Sequence, residues 1–327
     1  MARCFGSTSA APSPNPRPEQ HVLRLYTHSA CLKHDPGAFH VERPARLRTI
    51  LQALDHDRYA AVERTEAPRA TREALLRVHD AAYVANVLRG APPGMPYALD
   101  ADTWLDADSP EAALRAAGAL TAAVDAVLGE QCQRAFCAVR PPGHHATRDE
   151  AMGFCLFNNV AVGAAHALAV HGLQRVAIAD FDVHHGNGTQ AIFAAEPRVL
   201  FASSHQSPLY PGTGSEAERG AGNIVNGTLP PGAGSTEFRA LWSEQLLPRL
   251  YAFRPQLVLV SAGFDGHRCD PLAELQLGRE DYVWISTQLL ALARAHADGR
   301  LVSTLEGGYD LPALADSVCA HVSALME

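Results

Sequence analysis

The sequence predicts a single-domain α/β fold built around a mostly parallel β-sheet that is flanked by helices. From about residue 22 onward, short apolar runs alternate with longer amphipathic runs, as expected when strands alternate with helices. Long loops rich in Gly and Pro follow several of the apolar runs, and no internal repeat or clear linker divides the 327 residues. Ligands bind at the carboxyl ends of strands in such sheets, so we expect the functional residues in these loops.

The predicted strands are short runs rich in Val, Leu, Ile and Phe that are bounded by Gly, Pro or a charged residue. They cover, in chain order, residues 21–27, 135–139, 175–183, 198–204, 256–263 and 300–307. The predicted helices lie between them, at residues 42–54, 109–129, 158–172, 236–253 and 279–298. The second helix has the clearest boundaries, with Ser109 as N-cap, Pro110 in the first turn and Gly129 after its end.

Composition and charge restrict the classes of function. Hydrophobic residues make up 47% of the chain and charged residues 19%, as in an ordinary globular enzyme. The net charge of -8, without a cluster of Lys and Arg, argues against direct binding of nucleic acid. Seven cysteines without a CxxC pair indicate reduced thiols and a cytoplasmic location, and no apolar run is long enough for a membrane span. Residues 1–20 are expected to form a flexible leader before a folded domain at 21–327.

Charged residues collect at the end of one predicted strand, in the stretch DFDVHHGNG. Residues two apart in an extended chain share a face, so Asp180, Asp182 and His184 are expected to converge while Phe181 and Val183 pack on the other side. Buried carboxylates require a partner, and both a structural ion-pair cluster and a bound cation would supply one.

A third acid, Asp265, ends another predicted strand in the stretch SAGFDGH. The carboxyl ends of parallel strands meet at one edge of a sheet, so we expect Asp265 near Asp182 and His184. One His and two Asp with open coordination positions suit a catalytic divalent metal, with Zn²⁺ as the first candidate and Fe²⁺ as the second.

Two more segments follow predicted strands. In RPPGHH, adjacent side chains diverge, so either one of His144 and His145 packs while the other is exposed, or both stand beside a metal as proton-transfer groups. In LEGGYD, two glycines allow a tight turn that presents Tyr309. A tyrosine in this place either packs or donates a hydrogen bond to a developing oxyanion.

Together, four segments resemble the zinc-dependent histone deacetylase and acetylpolyamine amidohydrolase superfamily, and in particular its bacterial class II-like members. The segments are RPPGHH (140–145), DFDVHHGNG (180–188), SAGFDGHRCDPL (261–272) and LEGGYD (305–310). The resemblance extends from about residue 21 to the end of the chain. It implies an arginase/deacetylase-like fold, a catalytic domain at 21–327 and hydrolysis of acyl-amide bonds.

The resemblance also implies which residues form the active site. The matched zinc ligands are Asp182, His184 and Asp265. The matched catalytic residues are His144, His145, Tyr309, Asp180 and Asn187. In the family pattern, Asp180 is the carboxylate partner of His144, and Tyr309 stabilises the oxyanion. Asn187 stands behind His145 where one branch has Asp, so it gives a cationic His145 weaker electrostatic support.

The substrate contacts and a second cation follow from the same resemblance. Phe154 and Tyr210 match the two walls of a narrow acyl-lysine tunnel. Further matched substrate contacts are Gly153, Leu272 and Asp102. A structural K⁺ ion is a family feature, and its expected ligands, partly through backbone carbonyls, are Asp180, Asp182, His184, Ser203 and Ser204.

Three functions agree with these residues. The first is an acyl-lysine deacylase that acts on proteins or peptides, since no long insertion that would narrow access is evident. The second is an acetylpolyamine deacetylase, because a polycation would favour the acidic run with Asp100, Asp102, Asp106 and Asp108, although such a run is otherwise a solvated loop. The third is a non-catalytic acyl-lysine-binding module, which the presence of every catalytic position disfavours.

Overall fold

The computed structural model describes residues 21–327 and Met1, so most of the expected leader at 1–20 lies outside the described residues. The strands are β1 (His21–Thr27), β2 (Glu63–Glu66), β3 (Tyr97–Ala98), β4 (Trp104–Leu105), β5 (Cys132–Cys137), β6 (Val176–Asp180), β7 (Val199–Gln206), β8 (Ile224–Leu229), β9 (Leu257–Ala262) and β10 (Leu301–Leu305). The α-helices are α1 (Pro44–Ala53), α2 (Arg72–Leu76), α3 (Ala81–Arg89), α4 (Ser109–Leu128), α5 (Asn159–Ala169), α6 (Asn187–Phe193), α7 (Ser235–Leu241), α8 (Leu247–Phe253), α9 (Arg279–His296) and α10 (Leu311–Leu325). A π-helical turn, Trp242–Leu246, joins α7 to α8.

An eight-stranded sheet organises the fold, with the strand order β2-β1-β5-β10-β9-β6-β7-β8. Every neighbouring pair in it is parallel. The residues of β6, β7, β9 and β10 are all buried, which is why apolar residues face both sides of these strands instead of alternating with exposed ones. The predicted single-domain α/β fold with a parallel sheet and flanking helices is therefore confirmed. Strands β3 and β4 form a separate antiparallel pair.

Each predicted strand and helix is present, with shifts at the ends. The strand predicted at 175–183 is too long at its end, because β6 ends at Asp180. Beyond that point the chain turns, and Asp180 Oδ1 accepts a hydrogen bond from the Asp182 backbone N–H at 3.1 Å. The polar residues after Asp180 therefore sit in a loop at the sheet edge and not in the strand itself.

The start of α4 differs from its prediction. Ser109 is the first helical residue rather than the N-cap. Asp106 supplies the capping carboxylate, because its Oδ1 accepts from the backbone N–H groups of Asp108 at 2.9 Å and of Ser109 at 2.7 Å. Asp106 is thus used to begin a helix.

Several elements were not predicted. Strand β8 extends the sheet beyond β7, and α10 packs against α1 and α9. The helix α10 carries a recognisable start signal, since the Asp310 side chain accepts from the Ala313 N–H and a proline stands in the first turn. No helix in residues 21–327 is long and apolar enough to cross a membrane. The cysteines at 31, 132, 137, 155, 269 and 319 are free thiols, as expected.

Candidate active site

Four neighbouring strands bring the four sequence segments together. Strands β5, β10, β9 and β6 lie side by side at the centre of the sheet. The segment at 140–145 follows β5, the segment at 305–310 ends β10 and continues beyond it, and those with Asp265 and Asp182 follow β9 and β6. All strands of this sheet are parallel, so the segments meet at one edge. The expected position of the site, in loops at the carboxyl ends of strands, agrees with this arrangement.

Asp182, His184 and Asp265 form a compact cluster of potential metal ligands. One donor atom of each residue lies within 4.8 Å of the others, and all three side chains are buried. His184 Nδ1 lies 3.1 Å from Asp182 Oδ1 and 3.2 Å from Asp265 Oδ2. The second oxygens are held by backbone N–H groups, since Gly307 donates to Asp182 Oδ2 at 2.8 Å and Val183 donates to Asp265 Oδ1 at 2.9 Å.

The charges of this cluster call for a cation. Burial disfavours an imidazolium, yet hydrogen bonds that the His184 ring donates to Asp182 and Asp265 raise its pKa to about 10. Burial and the charge of Asp182 raise the pKa of Asp265. The two buried carboxylates thus both interact with one imidazolium proton. A divalent cation in the position of that proton would compensate the charge of both carboxylates. Two oxygens and one imidazole nitrogen are a suitable donor set for Zn²⁺ or Fe²⁺.

The tandem histidines are both buried, which excludes the alternative in which one ring packs and the other is exposed. Their ring centroids lie 4.1 Å apart. His144 Nδ1 lies 3.0 Å from Asp180 Oδ2. Although burial favours the neutral ring, the charges of Asp180 and Asp182 raise the pKa of His144 to about 10. The carboxylate of Asp180 therefore favours the cationic form of His144.

His145 has the opposite environment. Its Nδ1 lies 2.7 Å from the amide oxygen of Asn187, the first residue of α6. Burial and the positive charges of His144 and His184 lower its pKa well below the usual value. If Nδ1 carries the proton donated to Asn187, then Nε2 is unprotonated and able to accept a proton. The two adjacent histidines therefore differ in charge and in chemical capacity.

A cavity of about 230 Å³ borders this cluster at His184. It is lined by Asp102, His145, Gly153, Phe154, His184, Leu209, Tyr210, Leu272 and Tyr309. The structure thus places all five predicted substrate contacts along the same cavity as His145, His184 and Tyr309. The rings of His145 and Tyr210 meet edge to face at 5.2 Å, and those of Phe154 and Tyr309 do so at 5.8 Å.

The Gly153–Phe154 turn shapes the cavity wall. Gly153 has φ +54°, and a Cβ atom there would lie 2.3 Å from the ring of His145, so a side chain does not fit. Phe154 has φ +68°, which is uncommon for a residue with a side chain. Its N–H donates to Thr103 Oγ1 at 3.0 Å, and its ring meets that of His40 edge to face at 4.7 Å. These contacts hold Phe154 in an otherwise unfavourable backbone conformation.

Tyr309 lines the same cavity. Its backbone N–H donates to Asp270 Oδ2 at 2.7 Å, and the guanidinium of Arg46 stands 4.7 Å from its ring centroid. Burial raises the pKa of the phenol well above its usual value, in spite of the nearby Arg46. The hydroxyl therefore keeps its proton and is able to donate a hydrogen bond into the cavity.

The acidic run after residue 99 is divided between different tasks. Asp102 lines the cavity, where its Oδ1 accepts from Thr103 Oγ1 at 2.9 Å and its backbone carbonyl lies 3.0 Å from His40 Nε2. Asp106 caps α4, whereas Asp100 and Asp108 are exposed. The run is therefore not a single acidic rim.

The residues expected to hold K⁺ lie near each other on β6, β7 and the loop after β6. Asp180 pairs with Ser203 in the sheet. The hydroxyls already have protein partners, since Ser203 Oγ lies 3.0 Å from His205 Nδ1 and Ser204 Oγ accepts from Trp242 Nε1 at 3.0 Å. Each of these serine hydroxyls thus has a protein partner, and the backbone carbonyls are the other oxygens that could bind a cation.

The second histidine of the DVHH stretch, His185, points away from the metal-ligand cluster. Its Nδ1 lies 2.8 Å from Thr213 Oγ1, its Nε2 lies 2.9 Å from Gln190 Oε1, and its ring packs 4.7 Å from that of His205. These contacts are structural.

Glu306 is a supporting residue that the sequence patterns did not single out. The carboxylate is buried after β10, and Oε2 accepts from the backbone N–H groups of Gly143 at 2.7 Å and of His144 at 3.2 Å. Oε1 accepts from Ser261 Oγ at 3.1 Å. The available signal was an acidic residue at the end of an apolar strand, one of the features that drew attention to Asp265.

A second unpredicted network lies beneath Tyr309. Glu42 accepts from Arg46 at 3.0 Å and from both Nε and Nη2 of Arg140, and all three side chains are fully buried. Arg46 also donates to the carbonyls of Glu306 and Gly308. This ion-pair network fixes the turn that presents Tyr309.

A parallel sheet whose edge gathers three potential metal ligands, two histidines and a tyrosine around one narrow cavity is typical of metal-dependent hydrolases. The family described as "Histone deacetylase domain" matches residues 40–325. The chain therefore belongs to the histone deacetylase family, as the sequence motifs indicated. It is a hydrolase that acts on amide bonds, and its relatives support a deacetylase activity.

Individual relatives agree with this assignment. The "Histone deacetylase-like amidohydrolase" of Pseudomonas aeruginosa is 42% identical over 281 residues, which cover 84% of this chain and 73% of that protein. Human "Polyamine deacetylase HDAC10" is 40% identical over 88% of this chain and 44% of that protein. The crystal structure of the HDA15 HD domain matches with a TM-score of 0.88 at 34% identity, covering 93% of this chain and 88% of that one. The chain spans only 21% of the length of "Type-2 histone deacetylase 2" of Dictyostelium discoideum, to which it is 36% identical.

Proposed function

We propose that this protein is a zinc-dependent deacylase that removes acetyl or other acyl groups from lysine side chains in proteins or peptides. The observation that carries the proposal is a cavity of about 230 Å³ that is lined by His145, His184 and Tyr309 together. A cavity of this kind admits an extended acyl-lysine side chain and brings its amide to these groups.

Asp182, His184 and Asp265 would hold the metal, for which their donor atoms and mutual distances are suited. When bound, zinc polarises an acyl carbonyl and lowers the pKa of a bound water toward neutrality. Fe²⁺ is the alternative metal for the same donors. The backbone donors Gly307 and Val183 keep both carboxylates oriented toward the site.

The two histidines would divide the proton transfers. His145 is neutral, so its Nε2 would accept the proton of the attacking water and later deliver a proton to the leaving amine. His144, kept cationic by Asp180, would stabilise negative charge that develops beside it. Asn187 would hold the ring of His145 in the required orientation without adding a charge.

Tyr309 would donate its phenolic proton in a hydrogen bond to the oxyanion of the tetrahedral intermediate. Its raised pKa keeps the donor protonated, and the buried pair of Arg46 and Glu42 holds the ring in place. A preorganised donor of this type contributes about 3–4 kcal/mol to lowering the barrier.

The composition of the cavity wall supports an acyl-lysine substrate. Phe154, Tyr210, Leu209 and Leu272 offer apolar surface to an aliphatic chain. Asp102 is the acid among the lining residues, and it is close enough to the cavity to accept a hydrogen bond from the substrate backbone. The apolar side chains of this wall fit an uncharged aliphatic chain that ends in a neutral amide.

An acetylpolyamine deacetylase is the second candidate, supported by the 40% identity to human "Polyamine deacetylase HDAC10". A polyamine has additional ammonium groups, which would require acids near the mouth. Asp100 and Asp102 are available there, but Asp106 is committed to capping α4. Non-catalytic binding of acyl-lysine is the third candidate.

A comparison of substrates tests these candidates. Turnover is measured with acetyl-lysine peptides, longer acyl-lysine peptides and acetylspermidine, and bound zinc is quantified in the same sample. We expect the highest kcat/KM with an acyl-lysine peptide. A clear excess for acetylspermidine would select the polyamine enzyme, and no hydrolysis of any substrate by zinc-loaded protein would select the binding module.

Two further assignments belong to this proposal. A structural K⁺ would be bound near Asp180, Asp182, His184, Ser203 and Ser204, partly through backbone carbonyls, and Asp180 and Ser203 are paired in the sheet. The cytoplasmic location inferred from the cysteines also stays a prediction, with the free thiols as its support.

A further inference from the structure

Asp125, His166 and His171 form a second cluster of potential metal ligands, away from the active-site cavity. Asp125 lies near the end of α4, His166 near the end of α5, and His171 just after α5. One donor atom of each lies within 4.8 Å of the others. The Nε2 atoms of His166 and His171 both approach the same carboxylate oxygen, Asp125 Oδ1, at 2.6 Å and 2.7 Å.

The packing of α4 on α5 fixes this juxtaposition. Gly163 lies against α4, where a Cβ atom would stand 3.3 Å from Leu120 Cβ, so the two helices approach closely. Asp125 and His166 lie on these helices three residues before their ends. Helix C-termini carry partial negative charge, which favours a cation nearby.

We propose that Asp125, His166 and His171 bind a first-row divalent transition metal such as Zn²⁺. Two imidazole nitrogens and one carboxylate oxygen select such metals over Mg²⁺ and Ca²⁺, which prefer oxygen donors. The side chain of Asp125 is 51% exposed and that of His171 is 26% exposed, so water has access to the remaining coordination positions. The rings of His166 and His171, with centroids 5.6 Å apart, already face the shared oxygen.

Metal binding changes the proton positions of the cluster in a defined way. Each neutral ring must keep its proton on Nδ1, so that the Nε2 lone pair is free for the metal. His166 Nδ1 lies 3.4 Å from Nη1 of Arg77. When Nδ1 carries the proton, it cannot accept a hydrogen bond from Arg77. Arg77 has a second partner, Glu73, at 2.7 Å, and it therefore remains paired when it leaves the ring. Metal binding by His166 therefore competes only with the weak contact between its ring and Arg77.

The bound metal would connect the end of α5 to α4. The other end of α5 supports the catalytic loop, because the N-cap residue Asn158 donates to the carbonyl of Ala146 at 3.1 Å. A ligand that binds only the folded chain raises its stability by an amount set by concentration and Kd. We therefore infer a stabilising site on the helix that supports the tandem histidines.

Zinc stoichiometry tests the proposal. Purified full-length protein is dialysed against buffered free Zn²⁺, and bound zinc is measured for the wild type and for the variants H166Q/H171Q and D125N. The D125N variant separates metal binding from hydrogen bonding, since its amide oxygen still accepts from both rings but the carboxylate ligand is lost. We expect each variant to bind one zinc fewer per chain than the wild type, with unchanged deacylase turnover.

A catalytic-site variant keeps the test independent of the proposed function. D182N/D265N lacks two of the proposed catalytic ligands, and in this background we expect one zinc per chain and a rise in Tm with added Zn²⁺. Both effects should disappear when H166Q/H171Q is added. R77Q should lower the Kd of the remaining site. Equal zinc binding by the wild type and H166Q/H171Q would overturn the proposal and leave a hydrogen-bonded cluster without metal.

Discussion

His145 directs its Nδ1 atom to the amide oxygen of Asn187 at a distance of 2.7 Å. An amide oxygen carries no charge, so it stabilises an imidazolium less than the carboxylate of Asp180 that faces His144. Burial and nearby positive charge outweigh the hydrogen bond to Asn187 and lower the pKa of His145. Two adjacent residues of one loop thereby receive opposite protonation states, which suits one to accept a proton and the other to remain a cation.

The first prediction concerns Asn187→Asp. A carboxylate beside Nδ1 favours the imidazolium and raises the pKa of His145 by roughly 1–3 units. Since a general base acts in its neutral form, the acidic limb of the profile of kcat/KM against pH should move to higher pH. The profile is measured with an acetyl-lysine peptide, with metal content as the control. An acidic limb that stays in place or moves to lower pH would contradict the role of His145.

The second prediction concerns Tyr309→Phe, which removes the hydroxyl from the cavity while keeping the ring beside Arg46 and Phe154. The loss of an oxyanion donor lowers kcat by about 10²–10³-fold. Bound zinc should stay at the wild-type level, because Tyr309 is not among the clustered ligand residues. Steady-state kinetics and metal analysis on the same preparation check this. Unchanged turnover would exclude the oxyanion role.

The third prediction concerns Glu306→Gln. The Glu306 carboxylate accepts from the N–H groups of Gly143 and His144, and a glutamine has only one side-chain oxygen to offer its three donors. We expect the free energy of unfolding to fall by about 1–3 kcal/mol, with a decrease in kcat. Glu150→Gln, the same change at an exposed position, should alter neither. Equal effects of the two changes would show that Glu306 does not support the histidine loop.

Much of the candidate site was predictable because its residues directly follow buried strands. Asp182, His184 and Asp265 each stand a few residues after an apolar run, and parallel strands deliver such residues to one edge. Glu306 follows the same rule, but its partners are backbone N–H groups far away in the sequence, and Gly143 is 163 residues from it. Backbone partners leave no pattern in a sequence.

The fold was predictable to a similar extent. The apolar runs of β6 and β9 are visible because both faces of the sheet are covered, whereas β8, with the sequence IVNGTL, contains Asn226 and Gly227 and resembles a loop. The helix-capping role of Asp106 was not predictable. Its carboxylate accepts from the N–H of Ser109 and also from that of Asp35, 71 residues away, and the sequence alone does not distinguish it from the solvated acids beside it.

The last prediction concerns the stability of the fold at low pH. His321 is buried between two serines, with Nδ1 at 2.6 Å from Ser286 Oγ and Nε2 at 2.8 Å from Ser303 Oγ. Burial lowers its pKa to about 3, compared with about 6.5 in an unfolded chain. Between these values the unfolded chain binds more protons at this residue, so the stability that His321 contributes is present at pH 7 and is lost as the pH falls below 6.5.

In the variant His321→Gln this titration is absent, while the other histidines are unchanged. The difference in unfolding free energy between wild type and variant should therefore narrow as the pH falls below 6.5, by up to about 1.4 kcal/mol for each pH unit. Urea unfolding at pH 7, 6 and 5 measures this difference, if the m-values of both proteins agree. A difference that is constant over this range would mean that the ring binds a proton in the folded chain as readily as in the unfolded chain. Both serine hydroxyls would then have to accept hydrogen bonds from the protonated ring.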